Sequence, residues 1–468
     1  MSNYSLVKRF IGGNMSSFNP GLLAEFARHY GFHYDICDPE VLIRDVLINM
    51  ERGLRGQSSD LPMIPAYISP IARVPPGKTV IALDAGGTNL RAALVCFDDQ
   101  GKALPENSRK VPMPGTKGPV DRETFFNEIA DLVIPLFEEA RIAKKTIEGI
   151  GFCFSYPMEI TAESDGILLA LSKEVDAPEV IGTAIGRGLR DAMIRRGTKP
   201  PERIVLLNDT VAALLSGLAE IPPNGKKWQG ADRYGKTGGP VLGFILGTGF
   251  NIAYPEKNIP KIGFASESSP QIVVCEAGTF HPRYLGILDQ EYDATTKNPG
   301  VYTLEKSTAG AYLGPLTQHI LKQAVRDGVL KFKKADEFLS WPSLQTKDLN
   351  TFMHAPLSGE GPLGELFGLD EEDALASLVY LTAIVTERAA LFSAALVAAA
   401  VERIGSGYDP FVPVRIAVEG TTYVIYKGMR EALESYLHTM LFSRTPRSYV
   451  ISPVEQASLF GAAVAALH

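Results

Sequence analysis

The chain has 468 residues, of which 45% are hydrophobic and 21% charged, and its formal net charge is −7. A chain of this length is too long for one ordinary hydrophobic core and indicates two or three domains. Its composition is that of a soluble globular protein. The negative charge argues against nucleic acid or an anionic membrane as a partner. The first ten residues lack the apolar core of a signal peptide, and the longest apolar run, around 389–401, is too short and interrupted to span a bilayer. We therefore expect a cytoplasmic enzyme.

Two amphipathic helices are predicted at the start of the chain, over 19–32 and 38–54, because apolar residues recur at helical spacing behind Asn-Pro and Asp-Pro starts. The segment 61–77 that follows contains five prolines. Such a segment cannot be a central strand or a helix. It marks a boundary before the next element.

Two apolar strands bent around Gly86-Gly87 are predicted over 80–97. Adjacent glycines let backbone N–H groups approach an anion, and Thr88, Asn89 and Arg91 add side-chain donors at the same turn. Asp84 would then face a metal ion held by phosphates. A plain hairpin turn is the alternative interpretation of this stretch alone.

The polar, Pro- and Gly-rich segment 105–120 is predicted to be a mobile surface loop that acts as a lid. A helix over 122–140 and a strand over 147–154 follow, and the strand delivers Ser155 at its carboxyl end, where α/β sheets present binding groups. The stretch 166–169 then leads to Ser172-Lys173. A further helix is predicted over 181–196.

A short buried strand over 204–207 is followed directly by Asn208-Asp209-Thr210 and a helix over 211–218. These three polar residues are either helix caps or site residues. A second strand, glycine turn and strand, with Gly247-Thr248-Gly249 at the turn, spans 240–254 and resembles the first hairpin. Two such hairpins can hold one nucleotide from both sides of a cleft. The remaining elements are helices over 371–401, 428–440 and 455–467 and a strand over 414–419 that ends at Gly420-Thr421.

The order of these motifs is similar to that of hexokinases, which are members of the actin-like ATPase superfold. The resemblance runs from Leu61 to the C-terminus. It rests on these collinear motifs: Leu61-Pro-Met-Ile-Pro-Ala-Tyr, Leu83-Asp-Ala-Gly-Gly-Thr-Asn-Leu-Arg, Phe154-Ser-Tyr-Pro, Gly166-Ile-Leu-Leu with Ser172-Lys173, Leu207-Asn-Asp-Thr-Val-Ala, Gly247-Thr-Gly-Phe-Asn, Glu276, and Asn298-Pro-Gly with Glu305-Lys306.

The resemblance implies a sugar site, an ATP site and a catalytic base. Its sugar-binding positions are Ser155, Ser172, Lys173, Asn208, Asp209, Asn251, Glu276 and Glu305. Its nucleotide positions are Asp84, Gly86, Gly87, Thr88, Asn89, Arg91, Gly247, Thr248, Gly249, Gly420 and Thr421. Asp209 matches the base, Lys173 and Arg91 are placed to offset developing charge, and Asp84 would contact Mg²⁺ through water. Paired carboxylates and amides suit a polyol, because each hydroxyl both donates and accepts.

This sequence departs from the family pattern mainly on the nucleotide side. Leu171 replaces an aromatic residue before Ser172, where Thr is the common residue, and Glu419 replaces an Asp before the Gly420 turn. Ala311 and Val424 stand where family members often carry Lys. The donor is therefore less firmly indicated than the sugar.

We expect a two-lobed α/β protein of the actin-like ATPase (ribonuclease H-like) fold with a cleft between a small and a large domain. The small domain would hold 75–207 with the C-terminal helix 456–468, and the large domain 1–74 with 208–455. The expected reaction transfers the γ-phosphoryl of ATP to the 6-hydroxyl of glucose, mannose or fructose, the first step of glycolysis. The alternatives are a catalytically idle sugar sensor, a kinase for another hexose, and an ATPase without sugar. The oligomeric state is left open.

Overall fold

The structure is a computed structural model that describes residues 18–70, 74–171, 175–219, 239–367, 371–443 and 446–468. Within these residues the chain forms two mixed β-sheets with helices between them and on their outer faces. Its first two helices are α1 (Pro20–His29) and α2 (Pro39–Leu54), and each begins with a proline behind a capping Asn19 or Asp38. The sequence predicted both helices, because proline at the first helical position is a start signal.

The first sheet has five strands in the order β4-β3-β2-β5-β8. These are β2 (Thr79–Gly86), β3 (Asn89–Phe97), β4 (Ala103–Pro112), β5 (Ile147–Phe154) and β8 (Ile204–Leu207). Strands β2 and β3 form the predicted antiparallel hairpin, and β5 and β8 run parallel to β2. Helices α3 (Arg122–Ile142) and α4 (Ile185–Arg195) cover the outer face of the sheet with one apolar core.

The segment predicted as a lid loop over 105–120 is corrected by this sheet. Its first half belongs to strand β4, which pairs with β3 along one edge of the sheet. An edge strand tolerates proline and polar residues because one of its sides makes no ladder hydrogen bonds, so it lacks a buried strand pattern. The second half is docked, since the N–H of Asp176 donates to the Gly115 carbonyl and the N–H of Val120 to the Asp176 carbonyl.

The second sheet has six strands in the order β1-β13-β10-β9-β14-β15. These are β1 (Ile64–Pro65), β9 (Val241–Leu246), β10 (Phe250–Glu256), β13 (Gln271–Val274), β14 (Val414–Glu419) and β15 (Tyr449–Pro453). Strands β9 and β10 form the second predicted hairpin, and β14 runs parallel to β9. Two small sheets lie outside, formed by β6 (Met158–Ile160) with β7 (Gly166–Leu168) and by β11 (Asn258–Ile259) with β12 (Phe264–Ala265).

Two small-residue helices lie between the sheets and pack against each other. They are α5 (Asp209–Ala219) and α15 (Ala457–Ala465). A Cβ on Gly461 would lie 2.1 Å from the carbonyl oxygen of Ala212, and one on Gly151 of strand β5 would lie 1.7 Å from that of Ala462. Only glycine permits this approach of backbones. The inner faces of both sheets therefore share one apolar core with this helix pair.

The second sheet is covered on its other face by a helical layer. The layer contains α6 (Ile287–Ala294), α7 (Thr303–Thr308), α8 (Leu313–Arg326), α9 (Ala335–Ser340), α10 (Thr346–His354), α11 (Gly361–Leu366), α12 (Glu372–Ile404), α13 (Thr421–Ile425) and α14 (Met429–Ser443). With α1 and α2 they form the largest core of the described residues.

Helix α12 is the central element of this layer. It has 33 residues and is longer than the helix predicted from the sequence. By length and composition it could cross a bilayer, but 94% of its most apolar 18-residue window is buried inside the fold. Arg388 on α12 is fully buried and makes two 2.6 Å hydrogen bonds to the Asp289 carboxylate of α6. The burial identifies α12 as a core helix.

Candidate active site

A cavity of about 360 Å³ lies between the two sheets. It opens where β5, β8, β10 and β13 end or pass, so side chains from both sheets reach it. Its polar lining residues are Ser155, Asn208, Asp209, Asn251, Glu276 and Thr279. Its apolar walls include Ile64, Pro65, Met158, Ile160, Leu169 and Tyr302. A cavity with convergent polar groups and apolar walls is typical of a small-molecule site.

Asp209 is the first residue of α5 and follows β8 after a single residue. The cap of this helix is Asn208, whose Oδ1 accepts the Val211 N–H at 2.8 Å. The Asp209 carboxylate accepts a hydrogen bond from the Thr210 hydroxyl at 3.1 Å. Burial raises the pKa of Asp209 above its usual value. Asn208 and Asp209 thus divide the two interpretations of the sequence: the amide caps the helix and the carboxylate lines the cavity.

Asn251 and Glu276 form a pair on the opposite wall. The Asn251 Nδ2 donates to Glu276 Oε1 at 3.1 Å, while its Oδ1 accepts the N–H groups of Ile252 and Ala277 at 2.8 and 3.0 Å. The amide orientation is therefore fixed by the backbone, and it holds the carboxylate in turn. Glu276 has a φ of 54°, a left-handed conformation that is costly for a residue other than glycine. Burial, followed by the charges of Asp209 and Glu305, raises its pKa.

Glu305 lies in α7 and points at the second hairpin, where its Oε2 accepts the Phe250 N–H at 3.1 Å. Two glycines make room for it, since a Cβ on Gly249 would lie 2.8 Å from Oε2 and one on Gly278 would lie 3.2 Å from it. Burial and the charge of Asp209 raise the pKa of Glu305. The structure thus brings Glu305 into the same cluster of carboxylates as Asp209 and Glu276.

Ser155 lies at the carboxyl end of β5, as the sequence predicted, and its side chain is exposed to the cavity. Its N–H donates to the Ala85 carbonyl of β2 at 3.0 Å. This bond ties the Ser155 position to the first hairpin. The remaining two predicted sugar residues, Ser172 and Lys173, lie outside the described residues.

The first glycine turn joins β2 and β3 beside this cavity. Asp84 and Arg91 are partners in the β2–β3 register, and Gly86 is opposite Asn89. Gly87 has a φ of 55°, and no heavy atom lies within 4 Å of the position that a Cβ would take. Its carbonyl accepts the Tyr156 hydroxyl at 2.5 Å, while the Asn89 amide donates to the Thr88 hydroxyl at 3.2 Å. The turn is therefore held by the Tyr156 hydroxyl, and the space beside Gly87 is unobstructed.

The second and third predicted glycine turns pack against each other. The Gly247 carbonyl accepts the Thr422 hydroxyl at 2.7 Å and the Gly310 N–H at 2.8 Å, and the Thr248 carbonyl accepts the Ala311 N–H at 3.1 Å. Gly420 has a φ of 130°, and a Cβ there would lie 2.2 Å from the Leu246 carbonyl oxygen. Thr421 begins helix α13 directly after this glycine. Close backbone packing brings Gly247, Thr248, Gly249, Gly420 and Thr421 into one region.

The carboxylates of the cleft influence one another. Burial raises the pKa of Asp84, with Arg91 lowering it and Asp209 raising it further. Glu419, at the end of β14, has a pKa raised to about 7 by burial and by the charges of Asp209 and Asp84. Such mutual repulsion marks a site that gains from a bound cation or from donors on a ligand.

The described residues of the cleft do not form the ligand set of a directly bound metal ion. Across the described ranges, no group of three or more His, Cys, Asp or Glu side chains is spaced to hold a metal. One carboxylate, Asp84, beside an open glycine turn fits a cation held mainly by phosphate oxygens and water. The chemistry present thus fits a metal that arrives with a nucleotide.

Sequence reasoning missed two features of the cleft. Tyr302 lines the cavity, although the Asn298-Pro-Gly and Glu305-Lys306 motifs on either side were recognised. Glu419 was noted only as a departure, whereas it lies close enough to Asp209 and Asp84 for their charges, together with burial, to raise its pKa. Proximity to known motifs was the available signal for both.

Two α/β lobes joined by a buried helix pair, with carboxylates and glycine turns at facing strand ends, define the actin-like ATPase fold. A solved structure of a hexokinase from Schistosoma mansoni complexed with glucose superposes with a TM-score of 0.73 at 22% identity, covering 96% of this chain and 100% of that one. The predicted fold class is confirmed.

Family comparisons give the particular group within this fold. Two family models, both described as hexokinase, match residues 36–219 and 241–468. Hexokinase-1 of Schizosaccharomyces pombe is 27% identical over 431 residues, which is 88% of this chain and 84% of that protein. Hexokinase-2 of Oryza sativa subsp. japonica is 27% identical over 439 residues, 90% of this chain and 85% of that protein. The chain belongs to the hexokinase family and is a kinase.

Proposed function

We propose that this protein transfers the γ-phosphoryl group of ATP to the 6-hydroxyl of glucose or a similar hexose. The observation that carries the proposal is that the Asp209 carboxylate lies among the polar groups of the cavity, while Asn208 caps the helix. A sugar hydroxyl is a poor nucleophile at neutral pH, and phosphoryl transfer requires the protein mainly to position it and to accept its proton. Asp209 is the base. Its raised pKa brings it closer to the working pH.

The sugar is bound by the side chains that line or adjoin the cavity. Glu276 and Glu305 accept hydrogen bonds from sugar hydroxyls, and Asn251 presents its amide beside Glu276. Ser155, Asn208, Ser172 and Lys173 complete the proposed set. A site of carboxylates with fixed amide partners disfavours an apolar ligand, because its buried polar groups would then stay unpaired.

The nucleotide is bound by the three glycine turns. Gly86, Gly87, Thr88 and Asn89 present N–H groups and short polar side chains to phosphate oxygens, while Gly247, Thr248, Gly249, Gly420 and Thr421 form the wall on the other sheet. Asp84 would hold Mg²⁺ through water, and the ion would supply positive charge at the phosphates of the bound nucleotide. Arg91 and Lys173 offset charge that develops during transfer.

The two lobes are proposed to have the boundaries expected from the sequence, with 75–207 and 456–468 in the small domain. Sugar residues then come from both domains, so a bound hexose favours closure. We further place the enzyme in the cytoplasm, at the entry of hexoses into glycolysis.

A coupled assay with purified protein tests the proposal across glucose, mannose, fructose and an amino sugar, each with ATP, ADP and pyrophosphate as donor. ³¹P NMR of the product identifies the phosphorylated hydroxyl. We expect Mg²⁺-dependent formation of hexose 6-phosphate from ATP. Hexose binding without turnover with every donor would contradict the proposal and favour the idle sensor. ATP hydrolysis without a sugar product would favour an ATPase that uses this fold without a sugar substrate.

A further inference from the structure

Tyr302 combines two local features that a tyrosine normally avoids. Its φ and ψ are 57° and 39°, in the left-handed region, where a bulky side chain is strained. It also occupies the cap position of α7 without a side-chain capping bond, although Ser, Thr, Asp, Asn and Gly are the residues favoured there. Each feature alone would favour Asn or Gly over Tyr. A position that breaks two local rules at once is typical of a functional residue.

Tyr302 belongs to the wall of the active-site cavity. Tyr302 lines the cavity and remains 39% exposed. Leu169, which follows β7 of the other lobe, lines the same cavity and is 55% exposed. Both side chains thus belong to the wall of one cavity, together with the polar residues Asp209, Asn251 and Glu276. Neither side chain has a role in the proposed chemistry.

A hexose has the complementary distribution of groups. Its hydroxyls project from the ring edge, while a face with equatorial hydroxyls presents only C–H groups. The edge hydroxyls need hydrogen-bonding partners, whereas the face gains from contact with an apolar surface. An aromatic ring provides a large rigid surface of this kind at low entropic cost.

We propose that Tyr302 is a substrate-binding residue whose ring packs on the apolar face of the hexose, with Leu169 closing the opposite side. This deepens the proposed function and rests on it. The strained backbone directs the ring into the cavity, three residues before Glu305. Tyr302 thereby selects pyranoses with an unobstructed face, and the carboxylates select their hydroxyls.

The test compares three variants with the parent by calorimetric titration of glucose and by steady-state kinetics. Tyr302→Gly removes the ring and adopts the same φ without strain. Tyr302→Phe keeps the ring. Tyr67→Gly is the matched control, because Tyr67 has a φ of 53° but does not line this cavity.

We expect Tyr302→Gly to weaken glucose binding about tenfold, with the KM for hexose rising and the KM for ATP and kcat close to the parent. Tyr302→Phe and Tyr67→Gly should bind glucose within about twofold of the parent. Unchanged binding in Tyr302→Gly, or an equal loss in Tyr67→Gly, would overturn the inference while leaving the parent activity intact. A parent that binds no hexose would overturn both the inference and the proposed function.

Discussion

The proposed sugar half and the proposed nucleotide half of the cleft are built by different means. The sugar half is made of side chains, with the Glu276 carboxylate held by Asn251 and the Glu305 carboxylate held by the Phe250 N–H. The proposed nucleotide half is made largely of backbone, with the Gly247 carbonyl as a common acceptor and with glycine at positions 310 and 420, where a Cβ would collide. Binding in the sugar half should therefore depend on charge and hydrogen bonding, whereas binding in the nucleotide half should depend on the absence of side-chain atoms at its glycines. Each half should respond to a different class of substitution.

The largest expected effect falls between the two halves, at Asp209. Asp209→Asn keeps the size of the side chain, and Asn208 still caps the helix, so the protein should stay folded and bind glucose with similar affinity by calorimetry. Loss of the base should lower kcat by at least about a hundredfold. Asp121→Asn is a matched control, because Asp121 caps α3 through the Thr124 N–H at 2.7 Å, away from the cleft. Near-normal turnover in Asp209→Asn would refute the assigned base.

A second substitution tests the sugar half by charge alone. Glu276→Gln keeps the shape and removes the ionised acceptor. Since hydrogen bonds to charged groups contribute roughly 1.5–3 kcal/mol, the KM for hexose should rise at least about tenfold in steady-state kinetics. The KM for ATP should change much less. A parallel rise of both constants would assign Glu276 a structural role and remove the contrast between the halves.

A third substitution tests the nucleotide half by adding side-chain volume at a glycine. A Cβ on Gly310 would lie 2.4 Å from the Thr422 hydroxyl and 2.9 Å from the Gly247 carbonyl oxygen. Because overpacking costs roughly 1–3 kcal/mol, Gly310→Ala should raise the KM for ATP about fivefold or more, with the KM for hexose near the parent value.

The double variant Gly310→Ala/Thr422→Ala removes the closer of these two contacts and should recover part of the ATP affinity. If the double variant recovers no ATP affinity, the loss in Gly310→Ala does not arise from the contact between these turns. Melting temperatures of both variants separate this local effect from unfolding.

The smallest effect concerns pH and the junction of the two halves. The pKa of Glu419 is raised from 4.5 to about 7 by burial and by Asp209 and Asp84. The folded state therefore holds this proton between about pH 4.5 and 7 more firmly than the unfolded state does, and stability falls as pH rises through that window. Glu419→Gln should lessen this fall, so that its melting temperature exceeds that of the parent at pH 7.5 but not at pH 4. Identical pH profiles would mean that Glu419 is not confined with the other carboxylates.

Much of this architecture is predictable because its signals are local. The two hairpins, the strand that delivers Asp209, and the proline-started helices follow from glycine turns, apolar runs and caps. The order of several motifs then identified the fold. Strand β4 was missed because an edge strand carries no burial pattern, and its prolines indicated a loop.

Other features depend on contacts distant in sequence. The division of roles between Asn208 and Asp209 requires the position of the cavity, which several strands define together. The placement of Glu305 depends on the space left by Gly249 and Gly278. The strain at Glu276 and Tyr302 is a backbone property that residue types at these positions argue against. None of these is encoded in a short window of sequence.

The packing of α15 has a consequence for the order in which the chain can fold. Helix α15 lies against β2, β5 and α5, and its residues complete the apolar core on the inner face of the first sheet. During synthesis this sheet emerges hundreds of residues before the helix that covers it. Domains usually fold as units as they leave the ribosome. The early lobe is therefore expected to complete its apolar core only after α15 has been synthesised, so that both lobes reach their native state together from that point on.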